Sequence, residues 1–231
     1  MIEKIHALHR AWRYRLRSER EELAYIRSLN LAGATVIDIG AFHGIYSYWL
    51  HRAVGPSGNV IAFEPQPEMA EYLGRLKSGF RLDRLTIVNA GLSSEPGEAT
   101  LVRRPGHWGG SSVEKEAAPG LEEVAIRLTT LDEQIDASGA GPIAFIKCDV
   151  EGHERAVFDG GAKMLARDKP TLLVECHDRR VKNGGLFTDL DAYGYQAFFF
   201  DHGRLQPMSE YAARRDSIDK PYLNYVFVAG E

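Results

Sequence analysis

The first residues that could do chemistry lie where an apolar run meets a predicted helix. Residues 36–44 read Val-Ile-Asp-Ile-Gly-Ala-Phe-His-Gly. Gly40 and Gly44 permit a tight turn, and the start of the helix presents unpaired N–H groups to a ligand. Glu64 ends the next apolar run, where an acid accepts hydrogen bonds from ribose hydroxyls in nucleotide-binding sheets. Together these residues predict a ligand that contains adenosine.

The composition of this turn indicates which ligand it would bind. A dinucleotide-binding turn has the pattern GxGxxG, which the series Gly40-Ala41-Phe42-His43-Gly44 does not follow. The Asp38 carboxylate would repel a pyrophosphate but attract an ammonium or sulfonium group. S-adenosylmethionine carries both cations and no phosphate, so it is the predicted cofactor ahead of NAD. The alternative for Asp38 is a carboxylate that only caps the turn.

A second group of polar residues ends two later apolar runs. Lys147, Asp149 and Glu151 alternate along one run, so a strand would place them on one face. Glu175 and His177 end the following run in the same way. Charged side chains in buried strands are costly unless they are paired or used. The cluster therefore predicts a place where a hydroxyl substrate loses its proton.

Two alternatives for this cluster stay open. Lys147 could form a purely structural ion-pair network with Asp149 or Glu175. Asp149, Glu175 and His177 could also hold a divalent ion through oxygen and nitrogen ligands. Their spacing alone gives that second alternative little support, so no metal is predicted.

Short apolar runs alternate with amphipathic helices from residue 34 onward, which is typical of a parallel sheet covered on both faces. An antiparallel hairpin, Ala99–Arg103 and Val124–Leu128, is predicted as an insertion. The long loop between its strands, residues 104–120, carries Trp108 as a candidate substrate contact. One helix is predicted over Gly152–Ala166. Seven strands are predicted for the main sheet: Thr35–Ile39, Val60–Phe63, Leu85–Asn89, Ile143–Cys148, Thr171–Cys176, Tyr195–Phe200 and Tyr222–Val228.

Residues 2–29 are predicted to form an amphipathic helix. Residues 1–20 carry a net charge of +4, against −4 for the whole chain of 231 residues. This extension, residues 1–30, is a candidate contact surface. A solvated helix that packs on the edge of the domain or pairs with a second copy of the chain is favoured over a helix that binds another partner or an anionic membrane. Residues 31–231 are predicted to form a single domain. The apolar residues at helical spacing in the extension are Ile5, Leu8, Trp12 and Leu16.

The composition excludes several classes of protein. With 44% hydrophobic and 26% charged residues, the chain as a whole is neither disordered nor a coiled coil. Its basic and acidic residues are nearly balanced, so the overall charge does not indicate binding of nucleic acid. No apolar run approaches the roughly 18 residues of a membrane span, and the basic start lacks the features of a signal peptide, so a cytoplasmic protein is expected. Cys148 and Cys176 lack metal-site spacing and are expected to be buried.

Seven segments of the sequence resemble the FkbM-type methyltransferases, a family of S-adenosylmethionine enzymes. Their order and spacing cover roughly residues 20–178. The string KxDxEGxE at residues 147–154 is specific to this family, whereas DxGxxxG followed by an acid marks the broader class. The segments are VIDIGAFHGIYSYWL (36–50), VIAFEPQPE (60–68), VNAGLSSEPGEATL (88–101), GGSSV (109–113), LTTLDE (128–133), FIKCDVEGHE (145–154) and LLVECH (172–177).

The resemblance implies roles for individual residues. Asp38, Gly40 and Gly44 would surround the methionine moiety of the cofactor, and Glu64 would bind its ribose. Phe42 stands where the family usually has Asn, which predicts the loss of one polar contact. The implied cofactor-binding residues are Asp38, Gly40, Ala41, Phe42, Gly44, Glu64, Pro65, Asn89 and Ala90, the last two flanking the adenine. The implied acceptor wall is Lys147, Asp149, Glu151, Glu175 and His177, with Trp108, Ser111 and Ser112 on the substrate loop.

The resemblance also completes the predicted fold and function. The fold is a Rossmann-like α/β class I methyltransferase with a seven-stranded, mostly parallel sheet, helices on both faces, an inserted β-hairpin and an N-terminal helix. The reaction would be in-line methyl transfer to a hydroxyl oxygen of a small molecule or sugar. Asp149, Glu175 or His177 would act as base, and Lys147 would orient the acid or stabilise developing alkoxide. The alternatives are a non-catalytic cofactor-binding or partner protein and an NAD-dependent oxidoreductase.

Overall fold

The computed structural model describes residues 2–177, 185–214 and 222–230 and centres on a sheet of eight strands. The order of strands across this sheet is β11-β10-β12-β9-β8-β1-β2-β3. Strands β9, β8, β1, β2 and β3 are mutually parallel, while β12 runs antiparallel to both of its neighbours. The strands of the described residues are β1 (Thr35–Ile39), β2 (Asn59–Phe63), β3 (Leu85–Val88), β4 (Gly91–Leu92), β5 (Gly97–Arg104), β6 (His107–Ser112), β7 (Glu122–Thr129), β8 (Ile143–Cys148), β9 (Thr171–His177), β10 (Tyr195–Asp201), β11 (Arg204–Pro207) and β12 (Tyr222–Ala229).

Helices cover both faces of this sheet. Helices α1 to α4 pack on one face and α5 to α9 on the other, each over its own apolar cluster. A π-helical turn, Tyr14–Ser18, joins the first two helices. The helices are α1 (Ile2–Arg13), α2 (Arg20–Ser28), α3 (Ile45–Val54), α4 (Pro67–Phe80), α5 (Leu131–Ser138), α6 (Glu154–Asp159), α7 (Ala162–Asp168), α8 (Gly185–Ala192) and α9 (Tyr211–Arg214).

Strand β1 lies at the centre of the sheet, between β8 and β2. All five of its residues are buried, as expected for a parallel strand covered on both faces. Ile37 packs under the helices of one face and Val36 under those of the other. By the same alternation Asp38 points toward α3, and it lies opposite Lys147 of β8 in the pairing register.

The predicted strand count of seven was one short. All seven predicted strands are present in the main sheet, and an eighth, β11, pairs antiparallel with β10 at the edge. Strand β11 has only four residues, Arg-Leu-Gln-Pro, and lacks the apolar alternation from which strands are predicted. The turn at His202 and Gly203, both with positive φ, folds it back onto β10 through backbone pairing.

The predicted single helix over Gly152–Ala166 is two helices, α6 and α7. They are separated at Gly160 and Gly161, where a glycine pair weakens helical structure. A Cβ atom at Gly160 would lie 2.0 Å from the carbonyl oxygen of Ser93, so the backbone of this segment passes unusually close to the chain after β4. Only glycine at position 160 permits this close approach of backbone to backbone.

The predicted hairpin is part of a second sheet of four strands, in the order β4-β7-β5-β6. Strands β5 and β7 are the predicted antiparallel pair. The residues from 107 to 112, predicted as loop, form the additional strand β6 beside β5. Its sequence, His-Trp-Gly-Gly-Ser-Ser, is poor in the β-branched residues typical of strands, so local propensity did not reveal it.

The N-terminal segment packs through a different face from the predicted one. Ile5, Trp12 and Leu16 are 58%, 45% and 61% exposed, whereas Ala7 and Ala11 are buried in the cluster under α3 and α4. The small alanine side chains allow the helix axes to approach closely, and the indole N–H of Trp49 donates to the Ala11 carbonyl oxygen at 3.2 Å. Large apolar residues at helical spacing thus did not identify the buried face.

Candidate cofactor and acceptor site

The turn after β1 brings the cofactor motif, residues 38–44, into contact with the polar motif at the end of β8, residues 147–151. Gly40 has a φ of 75°, and a Cβ atom there would lie 1.9 Å from the carbonyl oxygen of Asp149. The Asp149 amide N–H in turn donates to the Ile39 carbonyl oxygen at 3.0 Å. Only glycine allows the end of β1 to lie this close to the end of β8. The ends of both strands therefore form one continuous floor.

Asp38 is a buried carboxylate at this floor, 1% exposed. Its Oδ2 accepts a hydrogen bond of 2.5 Å from the hydroxyl of Ser47, in the first turns of α3. Burial raises the pKa of Asp38 to about 6, although Ser47 and the Lys147 ammonium act in the opposite direction. A cation bound beside Asp38 would favour its ionised form.

Glu64 follows β2 and is 2% exposed. Its two oxygens accept backbone N–H hydrogen bonds, from Phe42 at 2.8 Å and from Gln66 at 2.9 Å. Burial nevertheless raises the pKa of Glu64 to about 7. Each carboxylate oxygen has a further lone pair, so ribose hydroxyls could still donate to it. Phe42 thus retains a polar contact through its backbone, although its side chain is apolar.

A cavity of about 340 Å³ opens over this floor, a size typical of small-molecule sites. Most of the predicted site residues line it. In the cofactor part these are Asp38, Gly40, Ala41, Phe42, Glu64, Pro65 and Ala90; in the acceptor part they are Trp108, Ser111, Lys147, Asp149, Glu151 and Glu175.

Three predicted site residues lie beside the cavity lining. Gly44 begins α3 with a φ of 70°, and a Cβ atom there would lie 2.7 Å from Leu73 of α4, so it serves helix packing. The Asn89 amide donates to the Glu64 carbonyl oxygen at 2.8 Å and braces the turn. Ser112 donates to the Glu151 carbonyl oxygen at 2.9 Å. The side chain of His177, at the end of β9, lies outside the described residues.

Lys147 forms the base of the acceptor part and is 1% exposed. Burial acts to lower the pKa of Lys147, but the carboxylates of Asp149 and Glu175 outweigh it and raise the pKa above its ordinary value. Burial, followed by the charge of Asp149, raises the pKa of Glu175 to about 8. A charged lysine therefore lies among carboxyl groups, one of which titrates near neutral pH.

The second sheet closes one side of the cavity. The Gln66 amide donates to the Trp108 carbonyl oxygen at 3.1 Å, and the Arg103 guanidinium bonds the carboxylates of Glu68 and Glu122. A Cβ atom at Gly109 would lie 3.5 Å from the Phe42 ring, so β6 passes directly over the cofactor turn. These contacts hold the inserted strands against the end of β2.

Sequence reasoning missed several residues that line the cavity. The side chains of Glu19 and Tyr14 come from the N-terminal segment, and nothing in their local spacing marks them as part of a site. His153 bridges Ser93 at 2.9 Å and Glu114 at 2.6 Å, so it joins the motif after β8 to the inserted sheet. Gln66 had the clearest local signal of these residues, because it lies only two positions after Glu64. The cavity-lining residues that were missed include Tyr14, Glu19, Tyr46, Gln66 and His153.

The charge of the cavity wall fits S-adenosylmethionine. Within residues 2–177, 185–214 and 222–230, Lys147 is the only Lys or Arg side chain that lines the cavity. Six carboxyl groups also line it: Glu19, Asp38, Glu64, Asp149, Glu151 and Glu175. Such a wall favours a cationic cofactor without phosphate and disfavours the pyrophosphate of NAD.

The described part of the chain holds neither a cluster of metal-ligating side chains nor a membrane-spanning helix. No group of three or more His, Cys, Asp or Glu side chains there is arranged to hold a metal ion. None of the helices found there combines the length and the apolar composition required to cross a bilayer.

The parallel sheet, the glycine turn after β1 and the acid after β2 define the class I S-adenosylmethionine-dependent methyltransferase fold. Comparison with known families then gives a narrower assignment, because a model of the Methyltransferase FkbM domain matches residues 38–201. The chain belongs to the FkbM methyltransferase family, and its cofactor is S-adenosylmethionine. No curated protein matches the sequence.

Solved structures that share this fold carry the names of different kinds of methyltransferase. The methyltransferase FkbM of Methylobacillus flagellatus KT has a TM-score of 0.60 and 17% identity, covering 86% of this chain and 44% of its own. A putative rRNA-methylase of Clostridium thermocellum has a TM-score of 0.59 and 13% identity, covering 93% and 97%. The O-methyltransferase of Bacillus cereus in complex with SAH has a TM-score of 0.55 and 15% identity, covering 100% and 91%. At this level of identity the likeness concerns the fold and does not transfer an acceptor.

Proposed function

We propose that the protein transfers a methyl group from S-adenosylmethionine to a hydroxyl oxygen of a small molecule or sugar. The observation that carries this proposal is the buried Lys147 beside Asp149 and Glu175, at the end of the same cavity that Asp38 and Glu64 line. Carboxyl groups surround this lysine, and one of them titrates near neutral pH. Such a carboxyl group is suited to removing a proton from a hydroxyl group.

The cofactor would be held by the turn after β1 and the end of β2. Asp38 would face a cationic group, Glu64 would accept hydrogen bonds from ribose hydroxyls, and Gly40 leaves the floor free of a side chain. The bound cofactor supplies a methyl group that is already activated as a sulfonium. The protein therefore contributes mainly alignment of the acceptor oxygen with that methyl group.

The acceptor proton would pass to Glu175. Its pKa of about 8 is close to the operating range of a general base, whereas a carboxylate with an ordinary pKa holds a proton only weakly. Asp149 would orient the hydroxyl, and the Lys147 ammonium would stabilise negative charge that develops on the oxygen. The O–C bond would form as the S–C bond of the sulfonium breaks, so the products would be a methyl ether, S-adenosylhomocysteine and a protonated Glu175. The proton on Glu175 would leave to solvent before the next turnover.

Methyl-transfer measurements on Lys147→Ala and Asp149→Ala test the proposal. Calorimetry first measures binding of S-adenosylmethionine to each protein. Transfer from ¹⁴C-methyl-labelled cofactor is then measured with simple sugars and methyl glycosides, and with a deproteinised small-molecule extract of cells. We expect transfer to fall about 100- to 10,000-fold while cofactor binding is kept. Unchanged turnover in both variants would contradict the proposed roles.

The chemistry of the labelled product tests the hydroxyl acceptor. A methyl ether resists mild base, a methyl ester is hydrolysed by it, and an N-methyl product is retained on a cation-exchange resin. A base-stable, uncharged product supports O-methylation of a hydroxyl. A wild-type protein that binds the cofactor but methylates nothing would favour the non-catalytic alternative. The predicted cytoplasmic location, and the predicted pairing of copies through the N-terminal helix, stay predictions.

A further inference from the structure

The N-terminal segment reaches the acceptor part of the cavity through Glu19. This residue lies between the π-helical turn and α2, and its amide N–H donates to the carbonyl oxygen of Tyr14, five residues earlier, at 2.8 Å. Both Tyr14 and Glu19 line the cavity. Single π-helical turns are rare in proteins, and those that occur are often found at functional sites. The irregular turn is thus the part of the N-terminal segment that touches the site.

The carboxylate of Glu19 is held by two side chains from distant parts of the chain. Its Oε2 accepts hydrogen bonds from the Tyr46 hydroxyl at 2.9 Å and from the Asn224 amide at 3.2 Å. Asn224 lies on β12 directly opposite Glu175 of β9. No described residue donates to the other oxygen, Oε1, so that atom retains its capacity to accept from a ligand.

Tyr46 connects Glu19 to the lysine of the acceptor part. The Lys147 ammonium nitrogen lies 5.1 Å from the centre of the Tyr46 ring, within the range of a cation–π interaction. The Tyr46 hydroxyl is the group bonded to Glu19. A continuous set of contacts therefore runs from the N-terminal segment through an aromatic ring to Lys147.

We propose that Glu19 is a positioning residue for the methyl acceptor, which holds the Tyr46 ring against Lys147 and presents its free carboxylate oxygen to an acceptor hydroxyl. This inference rests on the proposed function, because it assigns a role in the same cavity. It gives the N-terminal segment a part in acceptor recognition, and it places one wall of the acceptor part outside the residues that match the family model, 38–201.

The test compares Glu19→Gln with the matched control Glu21→Gln. Glu21 lies two residues further on, in the first turn of α2, and Glu21→Gln removes the same charge, but the Glu21 carboxylate accepts from the Gly203 amide instead of lining the cavity. The assay uses a dilution series of the deproteinised extract with ¹⁴C-methyl-labelled cofactor, so that the half-saturating dilution replaces KM. We expect Glu19→Gln to bind S-adenosylmethionine within about 2-fold of wild type and to lose about 10-fold or more in transfer at limiting extract.

A pH profile separates positioning from a merely structural role. The titratable groups that interact with Glu175 include Asp149, Lys147, Glu19, Glu151 and Tyr46, and the negative charge of Glu19 helps to raise the pKa of Glu175. Removing that charge lowers this pKa, so the acidic limb of the rate profile should move to lower pH in Glu19→Gln. Tyr46→Phe keeps the ring and removes its bond to Glu19, so we expect a smaller loss of transfer.

Each outcome has a separate meaning. If Glu19→Gln matches Glu21→Gln in both transfer and pH profile, the role of Glu19 is overturned while the proposed function stands. If Glu19→Gln loses cofactor binding, Glu19 supports the fold of the site and the inference is also overturned. If the wild-type protein binds the cofactor and transfers no methyl group, the proposed function fails, and the inference fails with it.

Discussion

The two parts of the cavity are built in different ways. The cofactor part comes almost entirely from one strand-helix-strand unit, β1, α3 and β2, with Asp38, Gly40 and Glu64 at its turns. The acceptor part is assembled from the N-terminal segment, α3, β8, β9 and the inserted sheet. A site made within one unit keeps its residues at fixed spacing along the chain, whereas a site made between units does not. The cofactor can therefore be inferred from spacing, and the acceptor cannot.

The carboxyl groups of the two parts are also stabilised differently. Hydrogen bonds from the Ser47 hydroxyl and from the Phe42 and Gln66 amides hold Asp38 and Glu64. In the acceptor part the charge of Lys147 opposes the desolvation of Glu175. Fixed hydrogen bonds shape the cofactor part before ligand binding, while the protonation of the acceptor part depends on several coupled charges.

The largest effect is expected where the two parts meet, at Gly40. Gly40→Ala would place a Cβ atom 1.9 Å from the Asp149 carbonyl oxygen and would require a left-handed backbone for alanine. We expect both cofactor binding and transfer to be lost, with a cost of about 2 to 5 kcal/mol in the free energy of unfolding.

Gly139→Ala is the matched control for that substitution. Gly139 follows α5 in the left-handed conformation with a φ of 61°, and no atom lies within 4 Å of the point where an added methyl group would sit, so alanine carries the backbone penalty there without the clash. It should cost only about 1 to 2 kcal/mol in urea unfolding and leave both activities unchanged. Equal effects at the two glycines would contradict the proposed contact between the parts.

A substitution at Glu175 should affect only the acceptor part. In Glu175→Gln the group proposed to accept the proton is gone, so we expect transfer to fall about 100- to 10,000-fold. Calorimetry should show binding of S-adenosylmethionine within about 2-fold of wild type, since a change confined to the acceptor lowers only later steps. Loss of cofactor binding in this variant would mean that the two parts are not separable.

A substitution at Glu64 should affect mainly the cofactor part. Glu64→Gln keeps the shape of the side chain but replaces one acceptor oxygen with a donor that opposes the Phe42 or Gln66 amide. We expect binding of S-adenosylmethionine to weaken about 10- to 100-fold by calorimetry. The control is Glu71→Gln, on the exposed side of α4, whose side chain is 77% exposed and which should bind normally.

The smallest effect expected is a pH dependence of cofactor binding. Burial raises the pKa of Asp38 to about 6, so Asp38 loses its charge as the pH falls through that value. A cationic ligand prefers the ionised carboxylate, so protonation of Asp38 alone should weaken binding about 4-fold at pH 5.5 relative to pH 7.5. Asp38→Asn should remove this contribution. A profile that stays the same in the variant would exclude Asp38 as its source.

Much of the fold was predictable because its signals are local. Strand β1 is a short run in which Val36, Ile37 and Ile39 are apolar and Asp38 is the interruption, and the seven strands with such runs all occur in the main sheet. Strands β6 and β11 were missed because glycine, serine and proline give them no strand propensity of their own. They form because neighbouring strands, β5 and β10, supply unpaired backbone groups.

The candidate site likewise has residues that could be predicted from local sequence and residues that could not. The prediction that Lys147, Asp149 and Glu175 lie together followed from strand alternation, and all three line one cavity. Glu19 and Tyr46 could not be predicted, because 205 residues separate Glu19 from its partner Asn224 and 27 separate it from Tyr46. Nor did sequence show that Gly44 serves packing against α4, since a glycine required for a turn looks the same as one required for a ligand.

The sequence by itself determined the cofactor turn, the family and the alternation of strands and helices, because these depend on residues within a few positions of one another. Only the tertiary structure decided which side chains surround the acceptor. That wall joins the N-terminal turn to strands near the other end of the chain, and no local preference encodes contacts over such a distance. The N-terminal segment, which looked like a separate extension, contributes Glu19 because its small alanines dock it beside α3.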